Sequence, residues 1–175
     1  MLIRLLPLVL GAVLAAGCSQ GGSASEAENA AATEPQALTA DHLANLIAAD
    51  GAAHTVAVLT GPADPTGIDK VFAGIATGGP EWLALVPAIE PVTDGMYAEG
   101  LQDALADALP HNAPGVLALF PVHADAYFVC GATNPPDARM IAGRAAVDAV
   151  TEPALQAAKA ECIRFFEGAE PELAE

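Results

Sequence analysis

The chain has very little serine and few basic residues. Serine occurs only at Ser19, Ser23 and Ser25, so none lies in the C-terminal 150 residues to act as a nucleophile beside a histidine. No glycine-rich loop has the spacing that binds phosphate groups. Lysine and arginine number 6 against 22 acidic residues, giving a net charge of −16. Because so acidic a surface repels phosphate backbones, the composition argues against nucleic-acid binding as well as serine catalysis.

The N-terminal stretch is apolar and ends at a cysteine. Residues 1–4 give a short positive start, and residues 5–16 are apolar apart from Pro7, which disfavours helix. This run is shorter than the roughly 20 residues that a membrane span needs, and it is typical of a secretory signal. It closes with Leu14-Ala15-Ala16-Gly17-Cys18, which places small residues before a thiol. The segment resembles the signal and lipobox of bacterial lipoproteins.

The lipoprotein resemblance implies both a covalent modification and a cellular location. It implies that residues 1–17 are a signal peptide cleaved before Cys18, and that Cys18 carries fatty acyl chains such as palmitate. Several such chains make membrane anchoring stable where one does not. Ser19 directly follows the modified cysteine, and a serine there resembles the sorting signal of enterobacterial lipoproteins that are bound for the outer membrane. The expected location is therefore the cell envelope, on the outer membrane facing the periplasm; the alternative is ordinary secretion with an incidental Cys18.

Three further segments follow the predicted signal peptide. Residues 18–37 are rich in Gly, Ser, Ala and Glu without apolar periodicity, so they are predicted to be a flexible tether. Residues 38–168 are predicted to form one domain, and residues 169–175 an acidic tail.

Apolar residues recur at helical spacing through most of this domain. Ile68, Val71, Phe72 and Ile75 lie at i, i+3, i+4 and i+7, and similar stripes follow along the chain. Residues 52–60 have the composition of a strand or a short helix, and the lack of a second strand-like run favours helix. We therefore predict an all-α fold of about seven short helices, packed as an antiparallel bundle or a small solenoid-like stack.

Capping residues and prolines predict where the helices begin and end. Thr39, Thr66, Asn112 and Thr151 precede helical stretches and are suitable N-caps. Pro87 should end or kink the helix that it interrupts.

The segment 121–135 has no clear helical pattern. We expect it to be irregular, with Tyr127 and Phe128 packed inward beside Cys130.

Part of the domain resembles an uncharacterised proteobacterial family of small exported helical proteins. The resemblance is carried by Asp69-Lys70-Val71, by Gly79-Pro80-Glu81-Trp82-Leu83, and by residues 94–99 and 108–117. The family pattern also has a later cysteine, as this chain does. It implies a helical fold and brings no activity with it.

Cys130 and Cys162 remain once Cys18 is lipidated. An even pair in an oxidising periplasm predicts a disulfide bond. The alternatives are two buried free thiols or, less favoured, a metal site, for which neither cysteine has a partner at ligand spacing.

A few residues are of a type that can perform metal chemistry. His111, His123 and Asp125 are candidate ligands for a metal-dependent hydrolase, although their spacing matches no familiar ligand motif. The preferred interpretation is that they are ordinary surface residues, with no resident metal or cofactor.

The middle of the chain is acidic throughout. Residues 71–138 contain no basic residue and eight acidic ones: Glu81, Glu90, Asp94, Glu99, Asp103, Asp107, Asp125 and Asp137. Glu99, Asp103 and Asp107 are spaced to share one face of the longest predicted helix. This face is solvated, or it is a docking surface for a basic partner or a site of loose divalent cation binding. Arg139 and Lys159 or Arg164 could meet it within the fold.

These features together favour a lipid-anchored, non-enzymatic binding module of the envelope. Its expected partners are the membrane, through the lipid anchor, and another envelope protein, through the acidic helices. The alternatives are the metal-dependent hydrolase and a carrier of a small apolar ligand held in a groove between helices.

Overall fold

The computed structural model describes residues 38–170, which lie within the second of the chain's two units, Gln36–Glu175. The all-α prediction is confirmed, because no strand occurs among the described residues. The helices are α1 Ala40–Asp50, α2 Ala52–Leu59, α3 Gly67–Ala76, α4 Pro80–Leu83, α5 Val86–Ile89, α6 Gly95–Ala108, α7 Ala113–Leu117, α8 Ala126–Cys130, α9 Ala138–Asp148 and α10 Gln156–Phe166. Two 3₁₀ helices, Glu90–Val92 and Pro153–Leu155, follow α5 and precede α10. None of the helices within residues 38–170 has both the length and the apolar character to cross a membrane.

Helix α6 is the centre of the packing. It contacts α3, α7, α8 and α9, whereas a solenoid would mainly join elements that are neighbours in sequence. Leu101 and Leu105 of α6 are completely buried, and Leu109 follows them into the core. These leucines recur at helical spacing and form the core of a bundle.

Two of the predicted N-caps form the expected hydrogen bond. The Thr39 hydroxyl accepts a hydrogen bond from the His42 amide at 3.1 Å, and the Asn112 side-chain oxygen accepts one from the Gly115 amide at 3.0 Å. The Asn112 amide group also donates to the Gly78 carbonyl at 2.8 Å. Asn112 therefore both begins α7 and ties it to the turn between α3 and α4.

The other two predicted caps differ from expectation. Thr66 precedes α3, but its hydroxyl donates to Asp64 at 3.4 Å and caps no amide. Thr151 does not begin the last helix, because α10 starts at Gln156 after the 3₁₀ helix Pro153–Leu155. Pro153 in that short helix fits its first turn, where a missing amide hydrogen has no cost.

The helix expected around Pro87 is divided in two. Helix α4 ends at Leu83, and α5 begins at Val86 with Pro87 in its first turn. The predicted break is therefore confirmed. The interruption at residues 84 and 85 places Pro87 in the first turn of α5, where the missing amide hydrogen has no cost.

The segment 121–135 contains a helix that the sequence analysis did not predict. Helix α8 begins after Asp125, whose side chain accepts a hydrogen bond from the Tyr127 amide at 2.8 Å. Ala126, Val129 and Cys130 lie at i, i+3 and i+4 and are buried. Tyr127 and Phe128 consequently lie on the opposite face and are 39% and 56% exposed, so the prediction that they pack inward is wrong.

The predicted disulfide bond is present. Cys130 at the end of α8 is bonded to Cys162 in α10, with 5.2 Å between their Cα atoms. Both cysteines are completely buried. The bond fixes α8, a helix of only five residues, onto α10.

Candidate functional site

The predicted lipidation site lies outside the described residues. Cys18, the signal peptide of residues 1–17 and the predicted tether of residues 18–37 all precede Leu38, where the described part begins. Their assignments stay predictions from the sequence.

The three candidate metal ligands occupy separate structural roles. His111 is exposed after α6, beside Gly78 in the turn that follows α3. The His123 ring nitrogen Nδ1 lies 3.4 Å from the Glu90 carboxylate, and Asp125 caps α8. Within residues 38–170 no group of three or more histidine, cysteine or acidic side chains is arranged to hold a metal ion. The structure therefore does not bring His111, His123 and Asp125 into one ligand set.

The acidic face of α6 is partly neutralised by α9. Arg139 Nη1 lies 3.2 Å from Asp107 Oδ1 and 3.8 Å from Asp103 Oδ1. This confirms the expectation that Arg139 meets the acidic middle of the chain. Glu99, one turn earlier on the same helix, is exposed and forms no ion pair with any residue of 38–170. The positive charge of α9 therefore reaches only the C-terminal half of this face.

Lys159 and Arg164, the two alternatives for a second contact with the acidic helices, bind elsewhere. Lys159 donates to the backbone carbonyls of Asp148 and Val150 at 2.6 and 2.8 Å, where it stabilises the end of α9. Arg164 lies over the ring of Phe165, with 4.4 Å between its guanidinium carbon and the ring centroid. Both contacts are local to the C-terminal helices.

An ion pair between the α2–α3 loop and α3 lowers the pKa of Asp64. Lys70 Nζ lies 3.0 and 3.1 Å from the two carboxylate oxygens of Asp64. The hydrogen bond from Lys70, with the positive charge that it carries, lowers the pKa of Asp64 below the ordinary 3.8. Within residues 38–170, Lys70 forms no ion pair with an acidic residue of α6.

A groove runs between the first half of α6 and the beginning of α8. It encloses about 310 Å³ and is lined by Gly95, Ala98, Glu99, Gln102, Asp125 and Phe128. Gln102 accepts a hydrogen bond from the Asp125 amide at 3.0 Å, which joins the two sides of the groove. Its chemistry combines an apolar side, from Ala98 and Phe128, with the carboxylates of Glu99 and Asp125.

Three aromatic rings continue from this groove towards α10. The Tyr127 ring lies edge-on to Phe128, with 5.3 Å between centroids, and edge-on to Phe165 at 5.7 Å. Sequence reasoning missed this surface because it did not place a helix at α8. The signal was present: Asp125 is a good N-cap, and Ala126, Val129 and Cys130 follow it at helical spacing.

A second groove lies between α7 and α10. It encloses about 340 Å³ and its lining is mainly apolar: Leu117, Ala118, Phe120, Pro121, Ala154, Leu155, Ala157, Ala158 and Glu161. Volumes of this order are at the lower end of those that hold small ligands.

Comparison with known proteins adds no relative: no protein-family model, curated protein or solved structure matches this chain.

Proposed function

We propose that the chain is a lipid-anchored protein of the bacterial envelope whose helical domain is a non-enzymatic binding module. The observation that carries the proposal is the sequence Leu14-Ala15-Ala16-Gly17-Cys18 after a short apolar run. The long Gly, Ser and Ala-rich stretch behind it suits a tether that holds the domain near the membrane surface, most favourably the outer membrane facing the periplasm.

Features of the domain support binding rather than catalysis as its role. The residues of the metal-hydrolase alternative, His111, His123 and Asp125, have separate contacts in the fold. The acidic face of α6 keeps an unpaired carboxylate at Glu99 within the described part of the chain. Such a face, beside exposed aromatic rings, suits contact with a partner protein of the envelope.

The anchor is tested by substituting the cysteine. Cys18→Ser should abolish both palmitate incorporation and recovery of the protein with the membrane fraction. The matched control is the double substitution Cys130→Ser and Cys162→Ser, which removes the other two cysteines and should keep the label. Equal labelling of the C18S variant and the natural chain would refute lipidation at Cys18.

The binding role is tested by cross-linking in living cells followed by purification. We expect a discrete complex with another envelope protein. Recovery of the chain by itself from cross-linkers of several lengths would contradict the binding role, whatever the result for Cys18.

The groove between α7 and α10 favours one second candidate, a carrier of a small apolar ligand. Native mass spectrometry of protein purified from cells would show a mass increase for such a carrier. Ala158→Trp, which places an indole in the groove, should remove the added mass, whereas Ala160→Trp on the exposed side of α10 should not. An unliganded mass for the natural chain would reject this candidate.

A further inference from the structure

Tyr127 and Phe128 are exposed in a chain that has few aromatic residues. The chain contains 5 phenylalanines, 2 tyrosines and 1 tryptophan. Within residues 38–170, Tyr127 and Phe128 are the aromatic members of the set of large exposed apolar side chains, and they are adjacent. Aromatic side chains at the centre of an interface commonly supply much of its binding energy. Their exposure on α8 therefore identifies a surface suited to a partner.

Three connections hold this aromatic pair in place. Asp125 caps α8 through the Tyr127 amide at 2.8 Å, and Gln102 of α6 accepts from the Asp125 amide at 3.0 Å. At the other end of the helix, Cys130 is bonded to Cys162 of α10. A short helix fixed at both ends loses little conformational freedom when a partner binds, which favours affinity.

The groove beside Phe128 specifies the charge of that partner. Glu99 and Asp125 line it, and none of its lining residues is basic. Arg139 pairs with Asp107 and Asp103 further along α6 and leaves Glu99 unpaired within the described chain. An incoming lysine or arginine would therefore supply the positive charge that the fold itself does not provide. A second copy of this chain is a poor occupant, because its net charge of −16 has the same sign.

We propose that the groove between α6 and α8 binds a cationic, partly apolar segment of another envelope protein. An apolar side chain of that segment packs against Phe128 and Ala98, and a neighbouring lysine or arginine pairs with Glu99. The proposal rests on the binding-module function and names both the surface and the chemistry of the partner.

The test uses a photo-activated phenylalanine analogue, p-benzoylphenylalanine, in the full-length chain in the cells that produce it. Placed at position 128, the analogue keeps an aromatic ring in the groove. Placed at position 58, where Val58 is 50% exposed on α2, it is the control outside the groove. We expect a discrete adduct from position 128 and not from position 58. Mass spectrometry should identify a cross-linked segment with a lysine or arginine beside an apolar residue.

A charge reversal makes the test specific. Glu99→Lys should lower the yield of the position-128 adduct at least fivefold, since it places a positive charge against the incoming cation. Glu170→Lys makes the same change at an exposed residue outside the groove and should leave the yield unchanged. Both positions are exposed, so thermal unfolding of the two variants should differ little and verify that each is folded.

Three results would overturn the groove proposal: no adduct at position 128, an adduct with a second copy or with an acidic segment, and a yield that E99K does not change. Failure of the binding-module function would give a different result: the analogue would form no protein adduct at any position on the domain. Adducts formed only at positions outside the groove would reject this groove but not the binding-module function.

Discussion

Two helix glycines allow aromatic rings to approach the backbone closely. A Cβ atom at Gly100 of α6 would lie 2.8 Å from the Phe72 ring, and a Cβ atom at Gly74 of α3 would overlap the indole of Trp82. Real Cβ atoms do not sit at such distances, so the rings occupy space that any other residue would fill. The close packing of α3 with α6 and α4 thus depends on the absence of a side chain at Gly100 and at Gly74.

Gly74→Ala should destabilise the protein although alanine is the better helix former. The helix-propensity gain of up to about 1 kcal/mol is outweighed by overpacking against Trp82, which typically costs about 1–3 kcal/mol. Gly143→Ala in α9 is the matched control, because its Cβ would lie 3.3 Å from the end of the Leu109 side chain and 3.6 Å from the Phe166 ring, without overlapping either. Urea unfolding should place G143A at or above the natural chain and G74A about 1–2 kcal/mol below it. Equal stability of the two variants would contradict the overpacking argument.

Lys70→Gln should raise the pKa of Asp64 back towards its ordinary value. The Lys70 hydrogen bond lowers the pKa of Asp64 in the folded chain, so its stabilising contribution is present above the unfolded pKa and is lost as pH falls through the folded one. NMR titration of the Asp64 carboxyl carbon measures this directly. Lys159→Gln, which removes a lysine that binds backbone carbonyls at the end of α9, should leave the titration unchanged. An unaltered Asp64 curve in K70Q would disprove the assignment to Lys70.

At the scale of single residues, the sequence predicted which types of residue would pair better than it predicted the neighbours of each side chain. The cysteine pair and the meeting of Arg139 with the acidic residues follow from composition and charge, and both are confirmed. The exposure of Phe128 could not be predicted without the helix that carries it. The positions of Lys159 and Arg164 depend on which backbone carbonyls and rings lie near them, and residue type alone does not determine that.

At the scale of helices, those with long periodic stripes were predicted, whereas the short helix α8 was not. Helices α1, α3 and α6 have apolar repeats and recognisable ends, so the local sequence specifies them. Helix α8 has five residues, too few to be stable alone in water. It is held by the contact of Gln102 with Asp125 and by the bond to Cys162, which lie 23 and 32 residues from their partners in sequence. Asp125 and the spacing of Ala126, Val129 and Cys130 indicate a helix locally, but the distant contacts that hold so short a helix cannot be read from a local pattern.

Breaking the disulfide bond should destabilise the domain and release α8. The bond closes a loop across a sequence separation of 32, for which the chain-entropy model gives roughly 3–4 kcal/mol. The double substitution Cys130→Ala and Cys162→Ala should lower the free energy of unfolding by that order, and hydrogen exchange should become fastest in α8. A reductant should destabilise the natural chain but leave the double variant unaffected. Unchanged protection of the α8 amides in the double variant would contradict this prediction, because Gln102 and the Asp125 cap would then suffice to hold α8 in place.

At the scale of the whole molecule, the net charge of −16 opposes the compact state. The ion pairs of the described residues all have both side chains at least about one-quarter exposed, so each contributes little. Salt should therefore relieve the repulsion between acidic residues more than it weakens the attraction within the ion pairs.

Raising sodium chloride from about 0.01 to 1 M shortens the screening length from roughly 30 to 3 Å. We expect stabilisation of about 1 kcal/mol, a rise of roughly 4 °C in Tm. The triple substitution Asp50→Asn, Glu99→Gln and Glu170→Gln removes three exposed charges that form no ion pair within residues 38–170, so its gain with salt should be smaller. A Tm that falls with salt would show that the ion pairs outweigh the excess of negative charge.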